Sequence, residues 1–235
     1  MSRKLTLALL PCAVLIGVAV QAPAAVTLTA VADTYVDRKD DMTNFGGSAT
    51  SSVGREMGGM GAIVTRGLLE FDLSDIPEGA TIGGATLRVF VASTSADPLG
   101  LEVVASLLAA PFDEFTVTWN NQPGALPAPT SSAAMNAAVG EWFAIDVTEL
   151  VRAARAGATP GDLFLRLAAA NETTNDDEHF RYRTRETGTA TAPQLVLSFA
   201  AVAPMMSPPI AGFAVLALAV LAVLALRRPA RAARS

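Results

Sequence analysis

Residues 66–91 read RGLLEFDLSDIPEGATIGGATLRVFV, two strand-like runs on either side of a Pro- and Gly-rich turn. In the second run Ala85, Leu87, Val89 and Val91 alternate with Thr86, Arg88, Phe90 and Ala92. Side chains two apart on a strand share a face, so one face is written for a core. The first run, Leu68 to Leu73, is more continuously apolar, as expected of a strand covered on both faces. Between them Ser74-Asp75-Ile76-Pro77-Glu78-Gly79 supplies turn chemistry: Pro fixes φ, Gly accepts φ > 0, and Ser and Asp bond the nearby backbone. Two long strands about one loop point to a β-sandwich.

The flanking sequence repeats the pattern. Val26 to Val36 is strand-like and is followed by a polar segment, Asp37 to Gly61, with a short strand expected at Thr50–Val53. Leu101 to Leu107, Trp142 to Val147, Leu163 to Leu167, Phe180 to Thr184 and Leu195 to Phe199 alternate in turn, and Gly124–Ala138 reads as a Pro-rich loop. One helix is expected, Thr148–Ala156, with Asp146 as its N-cap, Glu149 at capping-box spacing and Gly157 as its stop. There is no repeat of 20 to 50 residues. The expected fold is an all-β, antiparallel jelly-roll β-sandwich with one short helix, occupying residues 26–199.

The two ends read as address and anchor. Arg3 and Lys4, the apolar run Leu5–Val20 and Ala22-Pro23-Ala24 form a signal peptide over residues 1–25. Cys12, the single cysteine, lies in that run, so the mature chain has no disulfide and rests on its core. A Pro-rich spacer, 200–209, precedes an uncharged apolar run from Ile210 to Leu226 and then Arg227, Arg228, Arg231 and Arg234. A helix of that length spans about 25 Å, the short end of what crosses a bilayer. The arginines orient the tail (227–235) to the cytoplasm and the globular part outside, at the cell surface.

All 22 acidic residues lie between Asp33 and Glu186, whereas six of the 17 basic ones lie in the two ends. The exposed domain therefore carries 11 basic side chains against 22 acidic, a net charge near −11, which excludes a nucleic-acid partner.

The landmarks resemble a known family. Arg66-Gly67-Leu68-Leu69-Glu70-Phe71-Asp72-Leu73-Ser74, then Ile76-Pro77 and Gly79-Ala80-Thr81-Ile82, then Ala85-Thr86-Leu87-Arg88 resemble the DNRLRE domain, a disaggregatase-related or alginate-type carbohydrate-binding module. Ala32-Asp33-Thr34-Tyr35-Val36, Thr116 to Pro123, and Thr184-Arg185-Glu186 with Pro193, Leu195 and Leu197 agree in order. The resemblance implies a jelly-roll that binds polysaccharide without catalysis, in some members with structural calcium. The tail resembles PEP-CTERM sorting signals, which implies a membrane sorting protease as a partner, although the Pro-Glu-Pro triplet itself is absent.

Sugar recognition needs aromatic faces and fixed donors, Arg above all for a carboxylate. His179, Arg181, Arg183 and Arg185 recur at every second position and are expected on one strand face, either as a surface for an anionic polysaccharide or as a solvated face paired with nearby carboxylates. Trp119, Arg66 and Arg88 complete the candidate set; Trp119 and Trp142 each read either as a stacking platform or as core, and the apolar strand around Trp142 favours core there. Tyr35 and Tyr182 are half-buried candidates. Asp37, Asp40, Asp41 and Asn44 offer calcium-type oxygen ligands in a Gly-rich loop, as do Asn171, Asp176, Asp177 and Glu178. A single His and no mature Cys leave zinc without a ligand set.

No G-x-S-x-G, H-E-x-x-H or P-loop is present. The expected function is thus an exported, membrane-anchored, non-catalytic module for extracellular polysaccharide. A structural surface protein using the sandwich as a spacer, and a polysaccharide-cleaving enzyme with carboxylates converging in the fold, are the alternatives.

Overall fold

The computed structural model describes residues 25–58, 61–77, 79–95, 101–157, 161–173 and 177–200. The expected signal peptide, spacer, membrane helix and basic tail lie outside these, as does Asp176. Among the described residues no helix is long and apolar enough to cross a membrane.

The strands are β1 (Ala25–Thr29), β2 (Ala32–Asp37), β3 (Thr50–Gly58), β4 (Gly61–Asp72), β5 (Ile82–Thr94), β6 (Glu102–Leu108), β7 (Ala125–Ala134), β8 (Trp142–Asp146), β9 (Asp162–Ala169), β10 (Glu178–Arg183) and β11 (Gln194–Phe199), with one α-helix, α1 (Thr148–Ala156), between β8 and β9. Every pairing is antiparallel. One curled sheet runs β1-β11-β5-β10-β3-β4-β9-β6-β7, with β2 added to β4 and β8 to β5. The curl depends on β5. Ile82 to Arg88 pair with β11 and Thr86 to Phe90 with β8, but Val91 to Thr94 pair with β10 across a register shift. A strand that changes neighbours along its length folds one sheet into two facing layers, as expected of the sandwich.

The opening stretch behaves as its alternation requires. Ala85, Leu87, Val89 and Val91 of β5 and Leu69 and Phe71 of β4 enter one core with Phe143, Ile145, Leu165, Leu167, Phe180, Leu195 and Leu197. Leu68, the out-of-phase apolar residue of β4, goes to a second cluster with Val36, Leu108 and Val117, so β4 is indeed covered on both faces. The two strands of that stretch are not hydrogen-bonded to each other. They contribute to the core from separate layers.

Several local expectations need correction. Gly124–Ala138 is mostly strand: β7 is the last strand of the sheet, where Pro127 and Pro129 leave out N–H donors that no neighbour needs. The short strand at 50–53 extends to Gly58, because Gly54 to Gly58 pair with Gly61 to Thr65 of β4. α1 has the expected bounds, with Leu150 and Val151 buried, but its N-cap is Val147. Asp146 still ties the end, accepting the N–H of Thr148 at 2.9 Å and its hydroxyl at 2.6 Å. Glu149 closes no capping box and pairs with Arg152 at 2.7 Å.

Candidate functional site

The basic stripe on β10 is largely neutralised. His179 lies 3.0 Å from Asp177, and Arg181 donates to Glu56 of β3 at 2.9 Å. Arg185 is not on the strand at all: β10 ends at Arg183, and Arg185 begins a single 3-10 turn to Thr187. Its guanidinium is held by both oxygens of Glu114, and Glu186 lies 3.5 Å away. Arg183 is the exception. It is exposed and has no ion-pair partner among the described residues.

Arg66 and Trp119 meet, but as a closed cluster. The Arg66 guanidinium lies 4.2 Å from the Trp119 ring centre and donates to both oxygens of Glu172, at 2.8 and 2.6 Å, and to Gln122 Oε1 at 3.2 Å. Trp119 also packs on the second apolar cluster, so its ring is no open platform.

Arg88 is different, and so is its tryptophan. On β8 the core side chains are Phe143 and Ile145, which puts Trp142 on the outer face; it is half-buried there and not a core residue. Phe90 of β5 is paired with Trp142, and the two rings meet edge to face at 5.3 Å. Arg88 lies 4.7 Å from the Trp142 ring centre and has no carboxylate partner among the described residues. Tyr182 is paired with Val91, and both are buried. The ladder of β10 with β5 ends at that pair; Arg183, next along β10, is exposed and opposite in parity to the buried Tyr182, as Phe90 is to the buried Val91, so both lie on the outer side. The outer face of β8, β5 and β10 therefore carries Trp142 and Phe90 side by side, Arg88 resting on Trp142, and Arg183 at the end of β10. A guanidinium resting on an indole keeps its in-plane donors free for a carboxylate or hydroxyls. Adjacent strands lie about 4.8 Å apart, which makes the Trp142–Phe90 pair a continuous surface.

The remaining candidates are occupied or buried. Tyr182 is a core residue; Tyr35 stacks on Phe45 with ring centres 4.2 Å apart. In the first acidic group Asp37 accepts the N–H of Lys39 at 2.8 Å, and the Asn44 amide donates to the carbonyls of Glu114 and Val117 at 2.8 and 2.7 Å. In the second group Asn171 accepts the N–H and hydroxyl of Thr173, and Glu178 pairs with Arg55 at 2.6 Å. Among the described residues, Asp33, Glu114 and Glu186 are the set whose oxygens lie within 4.8 Å of one another, and there Arg185 already supplies the positive charge. Burial, with Glu186 and Glu114 adding to it, pushes the Asp33 carboxyl up to about 8 despite the N–H of Arg185 that it accepts. An open cleft of about 410 Å³ involves Ser131, Ser132, Asp146, Glu149 and Arg152; three of its charged groups are tied to Thr148, to each other and to the carbonyls of Ile82 and Gly83.

Residues 24–199 match the model of carbohydrate-binding module family 96. The chain belongs to that family. The match spans the whole sandwich and agrees with the carbohydrate-binding character that the landmark residues implied. No match was found among curated proteins. Within the module, the outer face of β8, β5 and β10 combines an aromatic surface with unpaired guanidiniums. The sequence points to Arg88, Arg183 and, as a stacking platform weighed against core, Trp142, but not to Phe90; the alternation of Phe143 and Ile145 signals that Trp142 points away from the core.

Proposed function

We propose that the protein holds an anionic extracellular polysaccharide on the outer face of β8, β5 and β10 and performs no reaction on it. The observation that carries this reading is the Trp142–Phe90 pair with Arg88 resting on Trp142, with the exposed Arg183 at the end of β10 on the same side. The rings offer apolar surface to pyranose C–H groups, while Arg88 and Arg183 supply charge-assisted donors to uronate carboxylates. The other cationic candidates, Arg181, Arg185, His179 and Arg66, already have carboxylate partners. The DNRLRE likeness supports the same class of ligand. Export through residues 1–25, a membrane anchor at 210–226 and handling by a sorting protease belong to the reading on sequence grounds alone.

Affinity electrophoresis of the purified chain through gels containing polygalacturonate, its methyl ester or a neutral glucan tests it. Retardation by polygalacturonate is expected, weakened about tenfold by Arg88→Ala or Arg183→Ala, with Trp142→Ala weakening the ester as well. Unretarded migration in every gel, with calcium present, would sink the binding reading.

A further inference from the structure

A second arginine cluster lies on the other layer. Arg166 of β9 is paired with Leu68 of β4 and with Ser106 of β6, and Ser106 is paired in turn with Thr130 of β7. Gly67 is paired with Leu167, so Arg66 and Arg166 stand diagonally on neighbouring strands, at a distance that long side chains bridge. Glu172 is engaged on two nitrogens by Arg66. The Arg166 side chain has no hydrogen-bond partner among the described residues, and its Nε is buried without one. A buried donor left unmatched is costly and marks a missing acceptor. Burial, followed by repulsion from Arg66, pushes the Arg166 guanidinium below its ordinary range, and Glu172 offsets this in part. Two guanidiniums and one carboxylate leave the cluster one anion short.

The two layers put this cluster and the aromatic pair on opposite outer faces. Leu69, Leu165 and Leu167 of β4 and β9 meet Leu87, Phe143 and Ile145 of β5 and β8 in a single core. Residues of the opposite parity on those strands therefore face away from each other. We propose that the module is bivalent: Arg166, beside the closed Arg66–Glu172 pair, takes a carboxylate of a second polysaccharide chain, while Arg88 and Arg183 hold the first. The ligand class rests on the proposed function above; the second site and the bridging do not follow from it. The other end of β4 does not take part, because Glu70 there lies near Asp162, Glu114 and Asp72, and this acidic company, after burial, raises its carboxyl.

A two-step capture assay with the full-length chain decides the matter. The protein is bound to immobilised polygalacturonate, and fluorescent oligogalacturonate is then passed over it. The wild type is expected to capture the second chain. Arg166→Gln, and Arg166→Met as a variant that keeps the packing, are expected to remain on the surface while capture falls about tenfold. Titration calorimetry of the wild type with a short oligogalacturonate is expected to give two molecules per chain. A stoichiometry of one, or capture by both Arg166 variants equal to that of the wild type, overturns bivalence and leaves single-face binding standing. Failure of the wild type to bind the first surface overturns the functional reading and bivalence together.

Discussion

Arg185 and Glu114, 71 residues apart in sequence, form the ion pair that ties the end of β10 to the loop after β6. The same carboxylate accepts the backbone N–H of Asp33 at 2.8 Å, and the Asp33 carboxylate in turn accepts the N–H of Arg185 at 3.0 Å. Three distant segments are closed into one ring of hydrogen bonds, in which Glu114 accepts from both others. Its side chain is 5 % exposed against 36 % for Arg185, so the carboxylate bears most of the desolvation. Glu114→Gln removes its charge while keeping its shape, and is expected to cost about 2 kcal/mol in urea unfolding, less than a fully buried pair would lose. A loss below about 0.5 kcal/mol would show that the ring contributes little.

Asp33 gives the fold a pH dependence of definite sign. Its carboxyl titrates near 8 in the folded chain against an ordinary 3.8. The folded state therefore keeps a proton that the unfolded state has released. Its contribution is fully present below pH 3.8 and is lost as pH rises through about 8, at no more than about 1.4 kcal/mol per pH unit. Asp33→Asn imitates the protonated form. The stability of the variant relative to wild type should rise steadily between pH 4 and 8 in thermal melts, and a constant difference would place the Asp33 titration elsewhere.

Gly67 of β4 is required by Tyr182. A Cβ at position 67 would stand 2.5 Å from the Tyr182 hydroxyl and 3.3 Å from two ring carbons. That hydroxyl is buried without a hydrogen-bond partner, since the neighbouring Ser51 donates instead to the carbonyl of Thr34 at 3.2 Å. Gly67→Ala should cost about 1–3 kcal/mol, and Tyr182→Phe should be neutral or mildly stabilising. Combining them should recover at least about 1 kcal/mol of the loss. Additive effects in denaturant titrations would contradict the contact.

The anchor is tested by truncation. Removing everything after Gly212 should release the protein into the medium, because no apolar span of bilayer length would be left. Fractionation that still finds the shortened chain in the membrane would refute the anchor.

The sequence by itself determined what is periodic. The alternation of Ala85, Leu87, Val89 and Val91, the doubly covered run at Leu68–Leu73 and the bounds of α1 were all legible, because they depend on neighbours two to four residues away. Burial on both sides of β4 followed from composition alone. β7 was hidden by its prolines, since only its position at the end of the sheet makes them harmless, and position in a sheet is not written locally. The basic stripe shows the same limit at the site. Spacing put His179, Arg181 and Arg183 on one strand, but whether each guanidinium is free depends on carboxylates brought in from elsewhere: Glu56 from β3 for Arg181, and Glu114 from the loop after β6 for Arg185. Only the tertiary structure decided that Arg88 and Arg183 remain unpaired on the outer side that carries Trp142 and Phe90. Electrostatic pairing and the facing of layers are long-range consequences of chain closure, and a period of two residues carries no record of them.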